Sequence, residues 1–221
     1  HLVDLNLIEL FLNTILLVIL SSIGLIVFAF ISNYGNRFSR SKFLEFLTTF
    51  SISGYAIPGI ILAVAFITFI SWFDSNIVNL FGFRSIKSIF IGSIVGLVIV
   101  YFVRFYSLAS NGLKSGYLKI NYSIDESAYL LGYSKFKTFK NIHIPYLKNS
   151  MLLIGILLSI EIIKELPITL IMRPFNFETF ATTAYVFASQ DLLEAAAAPS
   201  LFLVLIASFF ILITSKYILK D

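Results

Sequence analysis

The sequence predicts an all-α membrane protein, a polytopic helical bundle of about five spanning helices with a cytoplasmic helix-turn-helix loop. Three observations lead there. Mean hydropathy is +0.94. Of the 221 residues, 58% are hydrophobic and 13% charged, against about 25% charged in a soluble domain. Apolar stretches of about 20 residues recur, the length a helix needs to cross a hydrocarbon core of roughly 30 Å. The absence of cysteine excludes disulfides and thiolate nucleophiles, and two histidines, one of them His1, leave little for a metal site.

In chain order the expected spans are 8–31, 52–73, 89–105, 151–172 and 198–215. The first carries only mild polarity inside, at Asn13 and the pair Ser21 and Ser22. The second is interrupted by Gly54, Pro58 and Gly59, and residues 43–50 before it can add an in-plane or continuing turn. The third holds Gly92 and Gly96 four apart, a spacing that lets another helix come close. The fourth passes through Glu161, Lys164, Glu165 and Pro167. No repeat of 20 to 50 residues is visible among these segments. Because the chain opens on His1 rather than Met, a fragment or one half of a longer polypeptide is expected.

Basic residues set the orientation, since Lys and Arg collect on the cytoplasmic side. If the linker after the first span is cytoplasmic, that side holds twelve of the sixteen: Arg37, Arg40, Lys42, Arg104, Lys114, Lys119, Lys135, Lys137, Lys140, Lys148, Lys216 and Lys220. Arg84, Lys87 and Arg173 fall on the other side, and Lys164 within the fourth span. The N-terminus is then outside and the C-terminus cytoplasmic, in a bacterial inner membrane. The charged linker that follows the first span marks it as a spanning helix rather than a cleaved signal.

The longest polar stretch, 107–150, lies on the positive side, and loops of that length usually carry function. It reads as two short helices. Ser123 and Glu126 have the capping-box form, with Asp125 and Glu126 at the favourable end of the helix dipole. Gly132 falls where a left-handed C-cap residue belongs. Ser134 can cap a second helix in which Lys135, Lys137 and Lys140 alternate with Phe136 and Phe139, and Pro145 closes the unit.

Glu126, Ser127 and Ala128, then three residues, Gly132, nine residues, and Ile142, His143, Ile144 and Pro145 together resemble the EAA loop of ABC importer permeases. Both spacings match without a gap; Ser127 replaces the first alanine and Ile144 a leucine. The resemblance implies a single transmembrane permease domain over 1–221 whose loop docks on a cytoplasmic ATPase dimer and passes ATP-driven closure to the membrane helices. It also implies a second permease half or copy and an external solute-binding protein as partners. No cofactor is bound by this chain, ATP and Mg belonging to the ATPase, and no nucleic acid is involved. Phe136 and Phe139 either fill a pocket on the ATPase or pack against bilayer and permease. The stretches from Gly54 to Gly59, Lys164 to Pro167 and Arg173 to Thr179 look like the ferric-iron branch of these permeases. In that branch two EAA loops often share one duplicated polypeptide, and this sequence is similar to the second half. Thiamine, polyamine or other anion importers are the alternatives.

The charges in the fourth span each cost roughly 2.5 to 3.5 kcal/mol if left alone in the bilayer. Glu161 and Glu165 are one helical turn apart, Lys164 can pair with Glu161, and Pro167 favours a break just after them. They either border the translocation path or form an ion pair that orients helices. His143 is expected to be a solvated or interface residue, and Tyr55, Tyr101 and Tyr106 to be interface anchors. There is no catalytic or metal set: no H-E-x-x-H, no G-x-S-x-G, and no G-x-x-x-x-G-K-[ST] to hold ATP. An intramembrane enzyme using Glu161 and Glu165, or a secondary transporter driven by the buried charges, has no use for a capped docking loop.

Overall fold

The computed structural model describes residues 6–38, 53–78 and 87–218, together with Phe46 and Thr49. Residues 43–45, 47, 48 and 50–52 of the region expected around the second span, and Arg40, Lys42, Arg84 and Lys220, lie outside the described residues. Among the described residues every regular element is helical, and five helices are long and apolar enough to cross a membrane.

The first helix, α1 (Leu7–Phe38), is longer than expected and carries Asn33, Tyr34 and Arg37 on its last turns. A 3₁₀ turn (Ser53–Ala56) leads to α2 (Gly59–Phe73), which runs on through a π turn at Asp74–Val78. After the short α3 (Lys87–Phe90) comes α4 (Ile94–Tyr117). The loop then forms α5 (Tyr122–Leu130), α6 (Lys135–Thr138) and a π turn (Phe139–His143) that runs into α7 (Ile144–Ile163). The chain ends in α8 (Pro167–Met172), α9 (Phe180–Ser189) and α10 (Leu193–Ile218).

The core lies where α1, α4 and α7 meet, filled by Leu17, Leu25, Leu97, Phe105, Leu113, Leu147 and Leu158. Helix α10 packs on α7 and α9, and α2 on α8 and α4. Leu201, Val204, Leu205, Phe209 and Leu212 leave α10 apolar and exposed, a larger apolar face than soluble surfaces usually carry.

Three expectations are corrected. The third span is not 89–105 but Ile94–Tyr117, and the loop between spans shrinks from 107–150 to 118–143. Ser107, Ser110, Asn111 and Lys114 read as loop, yet the helix continues through them. Three of them have side-chain partners locally or across helices: Asn111 Nδ2 donates to Ser107 Oγ (3.5 Å) and Asn33 Nδ2 to Ser110 Oγ (3.2 Å). The close helix contact is not at Gly92 and Gly96. Gly92 sits at φ +66° in a turn, and a Cβ on Gly96 would meet the Phe90 carbonyl oxygen of its own approach. Close interhelical glycines instead include Gly24 of α1, whose added Cβ would lie 2.5 Å from Phe102 of α4, and Gly112 and Gly116 of α4, whose added Cβ atoms would lie 2.7 Å from Ile154 and 2.9 Å from Leu147 of α7. The fourth span, expected over 151–172, is α7 ending at Ile163, then a break, then α8. The break falls where Pro167 was expected to put it, for Pro167 supplies no N–H and begins α8 instead.

Candidate functional site: the loop between α4 and α7

The loop folds as a helix, a tight turn and a helix, and local chemistry accounts for each part. Asn121, not Ser123, caps α5: its side chain accepts from the Ser123 N–H at 3.3 Å. The expected capping box is therefore absent, because the helix starts one residue before Ser123. At the other end Gly132 N–H donates to the Tyr129 carbonyl and Tyr133 N–H to the Ala128 carbonyl, both at 2.9 Å. That crossed pair is a Schellman cap, and Gly132 takes the left-handed φ of +80° it requires. Ser134 caps α6 by accepting from Lys137 N–H at 3.3 Å.

Glu126 and Ser127 are exposed, the Ser127 hydroxyl donating back to the Ser123 carbonyl at 2.7 Å. Ala128 is buried, Ile142 half-buried, and Gly132, Ile144 and Pro145 are exposed. The residues quoted for the loop thus divide into an outer surface and two packing positions. Leu130, Leu131 and Phe136 extend that outer surface, at 89%, 78% and 73% exposure. Phe139 does not join it: its ring packs on Phe30 and Tyr34 of α1 at 4.9 and 4.7 Å. Of the two phenylalanines, only Phe136 is free to meet a partner.

Beneath the loop is a buried ionic cluster that the sequence did not disclose. Arg37 donates from Nε to Asp125 Oδ2 at 2.7 Å, and from Nη2 to the Ile120 carbonyl at 2.9 Å. Its guanidinium lies 4.3 Å from the Tyr122 ring centre, a cation–π distance. The other Asp125 oxygen is 2.8 Å from His143 Nε2. Of the two expectations for His143, solvated or interface, the solvated one fails: the ring is fully buried, among Tyr34, Phe38 and Tyr117. Its Nδ1 meets no partner, so the ring proton belongs on Nε2, donated to Asp125. A charge on Asp125 is also what the start of a helix favours.

The second charged group lies at the break between α7 and α8. Glu161 pairs with Lys164 at 2.7 Å, as expected, and accepts from the Tyr55 hydroxyl at 3.4 Å. Glu165 parts from Glu161: past the end of α7 it is buried, with Oε2 3.5 Å from Arg104 Nε and Oε1 accepting from the Ile168 N–H at 3.1 Å. It thereby caps α8. Arg104 also donates to the Ile57 carbonyl at 2.8 Å. Arg104 is therefore not a cytoplasmic loop charge. It sits ten residues into α4, about 15 Å from the Ile94 end at 1.5 Å per residue, near mid-span. The tyrosines follow suit: Tyr101 and Tyr106 are buried, on Thr169 and Ser32, and of the three expected anchors Tyr55 alone is exposed.

No family model matches the chain, and no curated protein matches it. In fold it is similar to a chain of a bacterial ABC transporter involved in the import of the acidic polysaccharide alginate, with a TM-score of 0.72. The two share 17% identity over 95% of this chain and 77% of the other. The likeness is one of fold.

Proposed function

We propose that this chain is the transmembrane permease subunit of an ATP-driven ABC importer, in which 118–143 is the loop that docks on the ATPase. The observation that carries the reading is the loop: an EAA-type spacing whose Gly132 sits in the left-handed cap between two short helices, with Glu126, Leu130, Leu131 and Phe136 turned outward. An importer chain of the same fold supports it. The loop end faces the cytoplasm, which leaves Lys119, Lys135, Lys137 and Lys140 on the positive side. The chain works in a bacterial inner membrane with a second permease half or copy, an ATPase dimer that supplies the ATP site, and an external solute-binding protein.

Glu161, Lys164, Glu165 and Pro167 border the translocation path. The support is their level: α7 breaks beside Arg104, near mid-span, where irregular backbone is tolerated when it is buried or lines a cavity. The cargo we propose is ferric iron, by the resemblance of the stretches at Gly54 to Gly59, Lys164 to Pro167 and Arg173 to Thr179, with selection left to the external protein. The test is purification of the tagged chain from native membranes with its ATPase, followed by uptake of labelled ferric iron into proteoliposomes containing ATP. Uptake that needs no ATP refutes the permease reading; ATP-driven uptake of an organic solute without iron refutes only the cargo.

A further inference from the structure

The last turns of α1 are joined to the loop more tightly than to anything else outside the core. Tyr34, Arg37 and Phe38 are spaced to share one helix face, and all three engage the loop. Tyr34 donates to the Lys135 carbonyl at 2.6 Å, Arg37 binds Asp125, and Phe38 packs against Tyr129 and His143 at 6.3 and 6.2 Å. Arg37 does more than pair. Its Nη2 reaches the Ile120 carbonyl just beyond α4, while Asp125 continues the chain of contacts to His143 at the entry to α7. One guanidinium and one carboxylate therefore link four pieces: the end of α1, the exit of α4, the start of α5 and the approach to α7. The Arg37 and Asp125 side chains are 6% and 3% exposed, so the link is desolvated and directional rather than a mobile surface pair.

We propose that Arg37 and Asp125 are positioning residues that make α1 a driven element: displacement of the loop by the ATPase reaches the membrane through α1 as well as through α4 and α7. The inference rests on the reading of 118–143 as the docking loop. The physical reason lies in stiffness. A loop held only by its two chain connections can pivot about them, and part of any push on Glu126 is lost in rotation. Asp125, adjacent to Glu126 and bonded to a helix that is not its chain neighbour, removes that freedom. Asp125 and Arg37 do not touch the ATPase in this scheme; they act through the surface beside them.

The absence of native cysteine makes the test direct. In the assembled importer carrying Tyr34→Cys and Phe139→Cys, a short bifunctional methanethiosulfonate should join α1 to the loop, since the native rings lie 4.7 Å apart. If the two move as one body, the cross-linked importer transports within about twofold of the same protein after reductant. Transport that stops on cross-linking and returns on reduction overturns the proposal. A second arm places a spin label on Gly35→Cys, where an added Cβ meets nothing within 4 Å. The label should report ATP binding in the wild-type background. In Asp125→Asn the ATPase should still co-purify, while the ATP-dependent signal disappears and solute moved per ATP falls by about tenfold, within the range of ordinary coupling energies. A label silent to ATP in the wild-type background, or unchanged in Asp125→Asn, also overturns it. If Asp125→Asn does not accumulate, the cross-link and the wild-type label decide alone. Failure of the wild-type chain to bind any ATPase would instead remove the docking-loop reading.

Discussion

Gly132 offers a test in which conformation and bulk rank Asn and Ala in opposite orders. Its φ of +80° is the left-handed value of the Schellman cap, and an added Cβ would find nothing within 4 Å. Within the chain a side chain therefore fits, and the cost of substitution is backbone strain. An L-residue other than Gly pays roughly 1 to 2 kcal/mol to sit there, a factor of about 5 to 30 in the population of the closed turn. Asn tolerates the region better than Ala, and a β-branched residue worse than either. The expected order of damage is thus Asn, then Ala, then Val. Hydrogen exchange at the 132 and 133 amides, which donate to the Tyr129 and Ala128 carbonyls, measures the turn directly. Co-purification of the ATPase and uptake should follow the same order, and Gly132→Trp, strained and bulky together, should accumulate normally yet lose both. If Asn proves more harmful than Ala, bulk at the ATPase contact governs, and the conformational argument fails.

Other substitutions separate packing from charge. Arg104→Gln strips the buried Glu165 of its cation and the Ile57 carbonyl of its donor, and should cost about 3 kcal/mol of stability, seen as a lower unfolding midpoint in detergent; the apolar double variant Arg104→Met with Glu165→Leu should cost less than the single. Gly54→Ala should abolish accumulation, because the new Cβ would stand 2.1 Å from the Val103 carbonyl oxygen, a backbone atom. Gly112→Ala, whose Cβ would lie 2.7 Å from Ile154 Cγ1 and 2.9 Å from its Cδ1, should cost about 1 to 3 kcal/mol and be relieved by Ile154→Ala, which removes both atoms. Glu161→Gln should slow uptake without altering which solute is carried, and a change of solute would refute a non-selective path.

The sequence by itself determined what depends on composition and on neighbours along the chain. Hydropathy and span length were enough for an all-α bundle, in which five helices among the described residues are long and apolar enough to cross a membrane. The turn at Gly132, the cap at Ser134, the Glu161 and Lys164 pair and the break before Pro167 are all interactions within five residues, so spacing reveals them. Only the tertiary structure decided which polar residues find partners far away. Arg37 read as a marker of membrane side, Asp125 as a dipole charge and His143 as a solvated or interface residue, because their partners are 88 and 18 residues apart. Arg104 read as the end of a span for the same reason: its carboxylate partner comes from another helix. The length of α4 was hidden likewise, since a helix carrying Ser110, Asn111 and Lys114 looks like a loop until Asn33 and the close approach of α7 are in place. Periodicity reports the solvent a residue prefers on average. Pairing across helices changes that preference one side chain at a time.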